Sequence, residues 1–80
     1  MSSFAKDVQG ELERVRSVRG PMNSVHEGYA VLLEELDEFW EEVRKRRSNR
    51  DALLMYNELV QIATVAQRIA EDVVIAQPVK

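Results

Sequence analysis

Apolar residues recur along this chain at the three-to-four-residue spacing of helices, and the pattern predicts three of them. In the first, Phe4, Val8, Leu12 and Val15 are separated by four, four and three residues, a narrow stripe suited to a single groove. This helix is expected over 3–19, with Ser2 or Ser3 as N-cap and Gly20 near the C-cap, and Gly10 in its middle costs about 1 kcal/mol relative to alanine. Gly20-Pro21 then breaks the chain. The second helix, expected over 24–47, opens with Ser24-Val25-His26-Glu27, a capping box in which hydroxyl and carboxylate each satisfy a backbone donor. Tyr29, Leu32, Leu33, Leu36, Phe39, Trp40 and Val43 then follow as one face, expected to be core. Ser48-Asn49-Arg50-Asp51 has turn and N-cap chemistry. A third helix is expected over 51–76, closed by Pro78, with Leu53, Tyr56, Leu59, Val60, Ala63, Ala66, Ala70 and Val74 on its main face.

The expected fold class is all-α: one domain over 1–80, built as a long antiparallel hairpin with a short N-terminal accessory helix. Leu54, Ile62, Val65, Ile69 and Val73 spread the apolar surface of the third helix beyond one stripe, so that it wants more than one neighbour. Homodimerisation into a four-helix-bundle-like core would supply those neighbours, with a tetramer as the larger alternative.

Size and composition sharpen that expectation. A chain of 80 residues buries only about 60% of its unfolded surface, and with no cysteine it has neither disulfides nor a thiolate metal site. Oligomerisation and an oxygen-ligand metal are the remaining ways to reinforce so small a core. No apolar run approaches the roughly 20 residues of a membrane span, and the first residues lack the features of a signal peptide, so a cytoplasmic location is expected. A net charge of −3 argues against nucleic acid as partner. Arg44, Lys45, Arg46, Arg47 and Arg50 form one basic patch, read either as charge complementing a helix C-terminus or as a phosphate-binding edge. His26, the only histidine, has no serine or cysteine partner that would make a nucleophilic triad.

The acidic residues carry the chemistry. At about 100° per residue, Glu35, Glu38 and Glu42 share a stripe beside the apolar face of the second helix. On the third helix, Glu58 and Gln61 are flanked by Leu54 and Val65. If the hairpin turns near residue 48, residues whose numbers sum to about 96 lie level, which sets Glu38 against Glu58 and Glu35 against Gln61. Three carboxylates and an amide oxygen at one point form a hard-cation site for Mg²⁺, with Mn²⁺ as the alternative.

Glu34-Glu35-Leu36-Asp37-Glu38, followed by Glu58-Leu59-Val60-Gln61, resembles the paired acidic motifs of the MazG-like all-α nucleoside triphosphate pyrophosphohydrolases over roughly residues 25–68. The resemblance implies Mg²⁺ held by Glu35, Glu38 and Glu58 on adjacent helices, and hydrolysis of a nucleotide to its monophosphate and pyrophosphate. Gln61 stands where the family has an aspartate, which removes one negative charge from the fourth ligand position; Glu34, Asp37 and Glu42 are the residues available to compensate. Arg68, Lys45 and Trp40 are the candidates for contacting a nucleotide ligand, the cations through phosphate and the indole through the base. The alternative expectation is a non-catalytic helical oligomer that acts as an interaction module.

Overall fold

A computed structural model describes residues 3–76, in which every regular element is a helix. Helix α1 (Phe4–Val18) is capped by Ser3, whose Oγ accepts from the Lys6 amide at 3.1 Å. It ends where Arg19 turns extended; no glycine among the described residues has a positive φ, so Gly20 is not a left-handed cap. Helix α2 (Val25–Val43) starts at the expected Ser24, which accepts from the Glu27 amide at 3.0 Å. The reciprocal bond falls one residue earlier than in a capping box: the Glu27 carboxylate accepts from the Asn23 amide at 2.7 Å. Helix α3 (Ala52–Ile69) is capped by Asp51, whose Oδ1 accepts from the amides of Leu53 and Leu54. Ser2 and Pro78, expected as a cap and a terminator, lie outside the described residues.

Two boundaries differ from the expectation. Helix α2 stops at Val43 rather than running to 47, and a single 3₁₀ turn, Arg47–Asn49, follows. The stop is enforced by residues beyond it. Arg50 donates twice to the Val43 carbonyl, from Nε at 3.0 Å and Nη2 at 2.7 Å, and the buried Glu42 carboxylate accepts from the Asp51 amide at 2.9 Å. Both bonds fold the chain back before another helical turn can form. At the far end, α3 passes directly into π-helical turns, Ala70–Ile75. These set the Asp72 carboxylate on the Met22 amide at 3.0 Å and on Arg16 Nη1 at 3.0 Å, while Glu71 pairs with Arg16 Nη2 at 2.8 Å. The connector between α1 and α2 is thereby tied to the end of α3.

Helix α3 is the central element, with α2 antiparallel along one side and α1 on another, in a body 50 × 28 × 20 Å. The buried face of α1 is Val8, Leu12 and Val15, three of the four stripe residues. Phe4, the fourth, stays partly exposed and meets Tyr56 edge-on, with ring centroids 5.7 Å apart. A second cluster joins Met22, Val65 and Val73 to Val31, Leu32 and Ile69. Helices α2 and α3 approach so closely at Gly28 that a Cβ there would lie 2.6 Å from Ile69 Cγ1.

The face of α2 expected to be core is only partly so. Tyr29, Leu33, Leu36 and Trp40 are exposed, and what meets α3 is the adjacent line through Gly28, Leu32, Glu35 and Phe39. The apolar arc of α2 is wider than one helix contact, and the neighbour took its flank rather than its middle. No helix among the described residues is long and apolar enough to cross a membrane.

Candidate metal centre

The hairpin brings three carboxylates to one place. Glu35 and Glu38, one turn apart on α2, converge with Glu58 of α3 so that one oxygen from each lies within 4.8 Å of the others. Their register follows from the tight connector: Glu42 holding the Asp51 amide fixes where α3 begins, and level pairing carries up the two helices from there. Glu35 and Glu58 are half-buried, and Glu38 is at the surface.

Like charges at this separation distort each other's ionisation. Burial is the largest cause pushing the Glu35 carboxyl up, to about 7, and the charge and hydrogen bond of Glu38 and the charge of Glu58 add to it. Glu58 is raised too, first by burial and then by its hydrogen bond and charge interaction with Glu38. Glu35 Oε2 and Glu58 Oε2 are buried with no hydrogen-bond partner. A buried orphan oxygen is costly unless something satisfies it, and a divalent cation would satisfy both at once. The all-oxygen donor set suits a hard ion such as Mg²⁺ or Mn²⁺.

The other expected site residues are placed differently. Gln61 stays on this side of α3, but its amide Nε2 donates to Glu11 Oε2 of α1 at 2.7 Å. Glu42 is turned away from the cluster, 2% exposed and engaged by Lys45 Nζ at 2.6 Å as well as by the Asp51 amide. Lys45, followed by that amide, holds the Glu42 carboxyl below its usual range. One ion pair thus engages Glu42 and Lys45 with each other. Trp40 is 57% exposed on another side of the hairpin and lines no cleft with the carboxylates.

Glu34 and Arg68 do border the site. They line a cleft of about 610 Å³ together with Glu35, Gln61, Arg14 of α1 and Arg19 just beyond its end. Arg68 is 8% exposed, and its Nη2 donates to the Gly20 carbonyl at 3.2 Å. Glu11, Arg14 and Arg19 were not singled out in the sequence, although a signal existed. Glu11 lies three residues after Val8 and four before Val15, on the buried edge of α1. Arg14 pairs with Glu11 at 2.6 Å, so Glu11 links the cleft's arginine to Gln61. The Glu11 carboxyl is accordingly held low, first by its bond to Arg14.

Fold and site together define a three-helix protein with a three-carboxylate cluster that borders an arginine-lined cleft through Glu35. No protein-family model, no curated protein and no solved structure matches the chain.

Proposed function

We propose that the protein is a Mg²⁺-dependent nucleoside triphosphate pyrophosphohydrolase-like protein of the MazG-like kind, with Mn²⁺ as the alternative ion. The observation that carries this reading is the convergence of Glu35, Glu38 and Glu58 with two buried, unpartnered oxygens among them. These three residues would hold the ion, which when bound supplies charge neutralisation for a phosphate chain and activation of a water. Gln61 is oriented by Glu11 at the edge of the cluster, and Glu34 borders the cleft beside it. Arg68, with Arg14 and Arg19, offers guanidinium donors to phosphate oxygens along the cleft. The apolar residues left exposed on α2 and α3 are covered in a homo-oligomer, and the cytoplasm is the location that fits this reading.

A second reading, a non-catalytic helical oligomer, is favoured by two placements: the Gln61 amide already occupied by Glu11, and Trp40 remote from the cleft. Calorimetric titration of Mg²⁺ and Mn²⁺ into the wild type and a Glu38→Gln/Glu58→Gln variant separates the two. Saturable binding that the variant loses, with pyrophosphate released from nucleoside triphosphates, supports the enzyme. Binding without turnover leaves the module, and no binding rejects the metal site. Gln61→Asp tests the fourth position, since an added carboxylate in contact with the ion tightens Mg²⁺ binding by about tenfold or more, whereas unchanged affinity puts Gln61 outside the ligand set.

A further inference from the structure

Arg44, Lys45, Arg46, Arg47 and Arg50 surround the closed end of the hairpin, about the 3₁₀ turn Arg47–Asn49, and all five are exposed. Such a patch can complement the C-terminus of α2 or meet an outside anion, and the first use accounts for only part of it. Among these side chains Arg50 alone donates to a terminal carbonyl of α2, that of Val43. Lys45 is engaged by Glu42 at 2.6 Å and Arg44 by Glu41 at 3.6 Å. Arg46 and Arg47 make no ion pair among the described residues. The neighbouring carboxylates do little to cancel their field, since Glu42 is buried beneath the turn and Asp51 faces the amides of Leu53 and Leu54.

Charge is divided along the molecule accordingly. The stretch 44–50 holds five of the chain's eleven lysines and arginines and none of its fourteen acidic residues, so the remaining residues, six basic against fourteen acidic, are left at −8. A molecule 50 Å in its longest dimension thus carries +5 at the hairpin tip and a net negative charge over the rest. An extended polyanion such as nucleic acid would run on past the tip along the acidic sides, whereas a flat anionic surface meets the tip alone, and at physiological salt a separation of about 8 Å already screens the remainder.

The apolar residues at the tip favour the same partner. Leu53 and Leu54, in the first turn of α3, remain 69% and 42% exposed beside the basic patch. At about 100° per residue Leu53 lies roughly 140° around α3 from the line through Glu58, Val65 and Ile69 that meets α2, so packing between the two helices does not cover it. Aliphatic side chains offer a nucleobase no ring to stack on, but at a bilayer interface they enter the acyl boundary while cations beside them hold the headgroups.

We propose that the hairpin tip is a docking surface for a membrane containing anionic lipid, on which the chain stands end-on, with Arg44, Lys45, Arg46 and Arg47 at the headgroup phosphates and carboxylates and Leu53 at the acyl boundary. Anionic lipid of this kind marks the cytoplasmic leaflet. Helical rise sets Glu58 roughly 10 Å behind the tip and Glu35 roughly 12 Å behind it, so the carboxylates and their cleft remain in water. The proposal is independent of metal binding and of self-association.

Cosedimentation with vesicles of one part phosphatidylserine to three parts phosphatidylcholine tests it, with pure phosphatidylcholine as the control. Binding is expected to the mixed vesicles only, and to weaken as salt is added. Arg46→Gln/Arg47→Gln should weaken it about twentyfold, each cation near an anionic surface being worth about fivefold, with little change in melting temperature because neither side chain has an ion-pair partner to lose. Leu53→Ser should weaken binding by about fivefold at every salt concentration, as loss of an apolar contact does. Equal binding to both kinds of vesicle, or an arginine variant that binds like the wild type, overturns the proposal. Tighter binding to a single-stranded oligonucleotide, unchanged by Leu53→Ser, overturns it in favour of nucleic acid. A wild type that sediments with neither kind of vesicle overturns it outright, whether the tip then stays solvated or pairs with the acidic side of another copy.

Discussion

Glu35 and Gly28 sit two turns apart on α2, and each is governed by what α3 places in front of it. For Glu35 that is first the burial α3 imposes, then Glu38 alongside and Glu58 opposite, which push the Glu35 carboxyl up to about 7 from its ordinary 4.5. A carboxyl with a raised folded-state pKa binds its proton more tightly when folded. Its stabilising contribution is therefore complete below the unfolded value and is lost as pH rises through about 7. Without divalent ions, the melting temperature is expected to fall by several degrees between pH 5 and pH 8, given that about 1 kcal/mol is worth roughly 4–8 °C in a domain of this size. Glu35→Gln should flatten that slope and raise the melting temperature at pH 8. A slope unchanged in the variant would place the titration elsewhere. For Gly28 the neighbour is Ile69, 2.6 Å from where a Cβ would stand. Gly28→Ala gains helix propensity but forces that overlap, for a net loss of about 1–2 kcal/mol. In thermal melts, Gly28→Ala combined with Ile69→Ala should cost less than the sum of the two single changes.

At the scale of elements, the connectors decide more than the helices do. Helix α2 ends early because Arg50 and Glu42 close the turn, and that closure sets the register in which Glu38 meets Glu58. Glu42→Gln keeps the acceptor for the Asp51 amide but discards the ion pair with Lys45. Loss of the amide bond through Glu42→Ala should accordingly reduce Mg²⁺ affinity more than Glu42→Gln does, a difference visible by calorimetry. The second connector is held by the π-helical turns, where Asp72 receives both the Met22 amide and Arg16. Asp72→Asn weakens that clasp, so hydrogen exchange in Phe4–Val18 should quicken roughly tenfold while the hairpin is little changed. Equal acceleration across all three helices would show that α1 is not a separately docked unit.

The whole molecule has too little interior for its apolar content. Among the described residues the buried hydrophobics are Val8, Leu12, Val15, Met22, Val60, Val65 and Val73, whereas a tryptophan, a tyrosine and several leucines face outward. A stability that depends on covering those residues depends on concentration, because mass action favours the associated folded state. The melting temperature should thus climb with protein concentration by a few degrees per decade, and Leu36→Glu should abolish the climb. A concentration-independent melt would mean that the three-helix unit is stable alone.

The sequence by itself determined what depends on neighbours along the chain. Periodic apolar spacing gave three helices, side-chain oxygens at Ser3, Ser24 and Asp51 start them, and a short connector makes the level pairing that brings Glu35, Glu38 and Glu58 together. Only the tertiary structure decided which flank of α2 faces inward, that Glu11 holds Gln61, and that Gly28 admits Ile69. Those choices join residues up to 50 positions apart, as Gln61 and Glu11 are, and turn on where α1 docks and how closely two helices approach. Local periodicity encodes a helix and its faces, but the choice among faces belongs to the packing of the assembled helices.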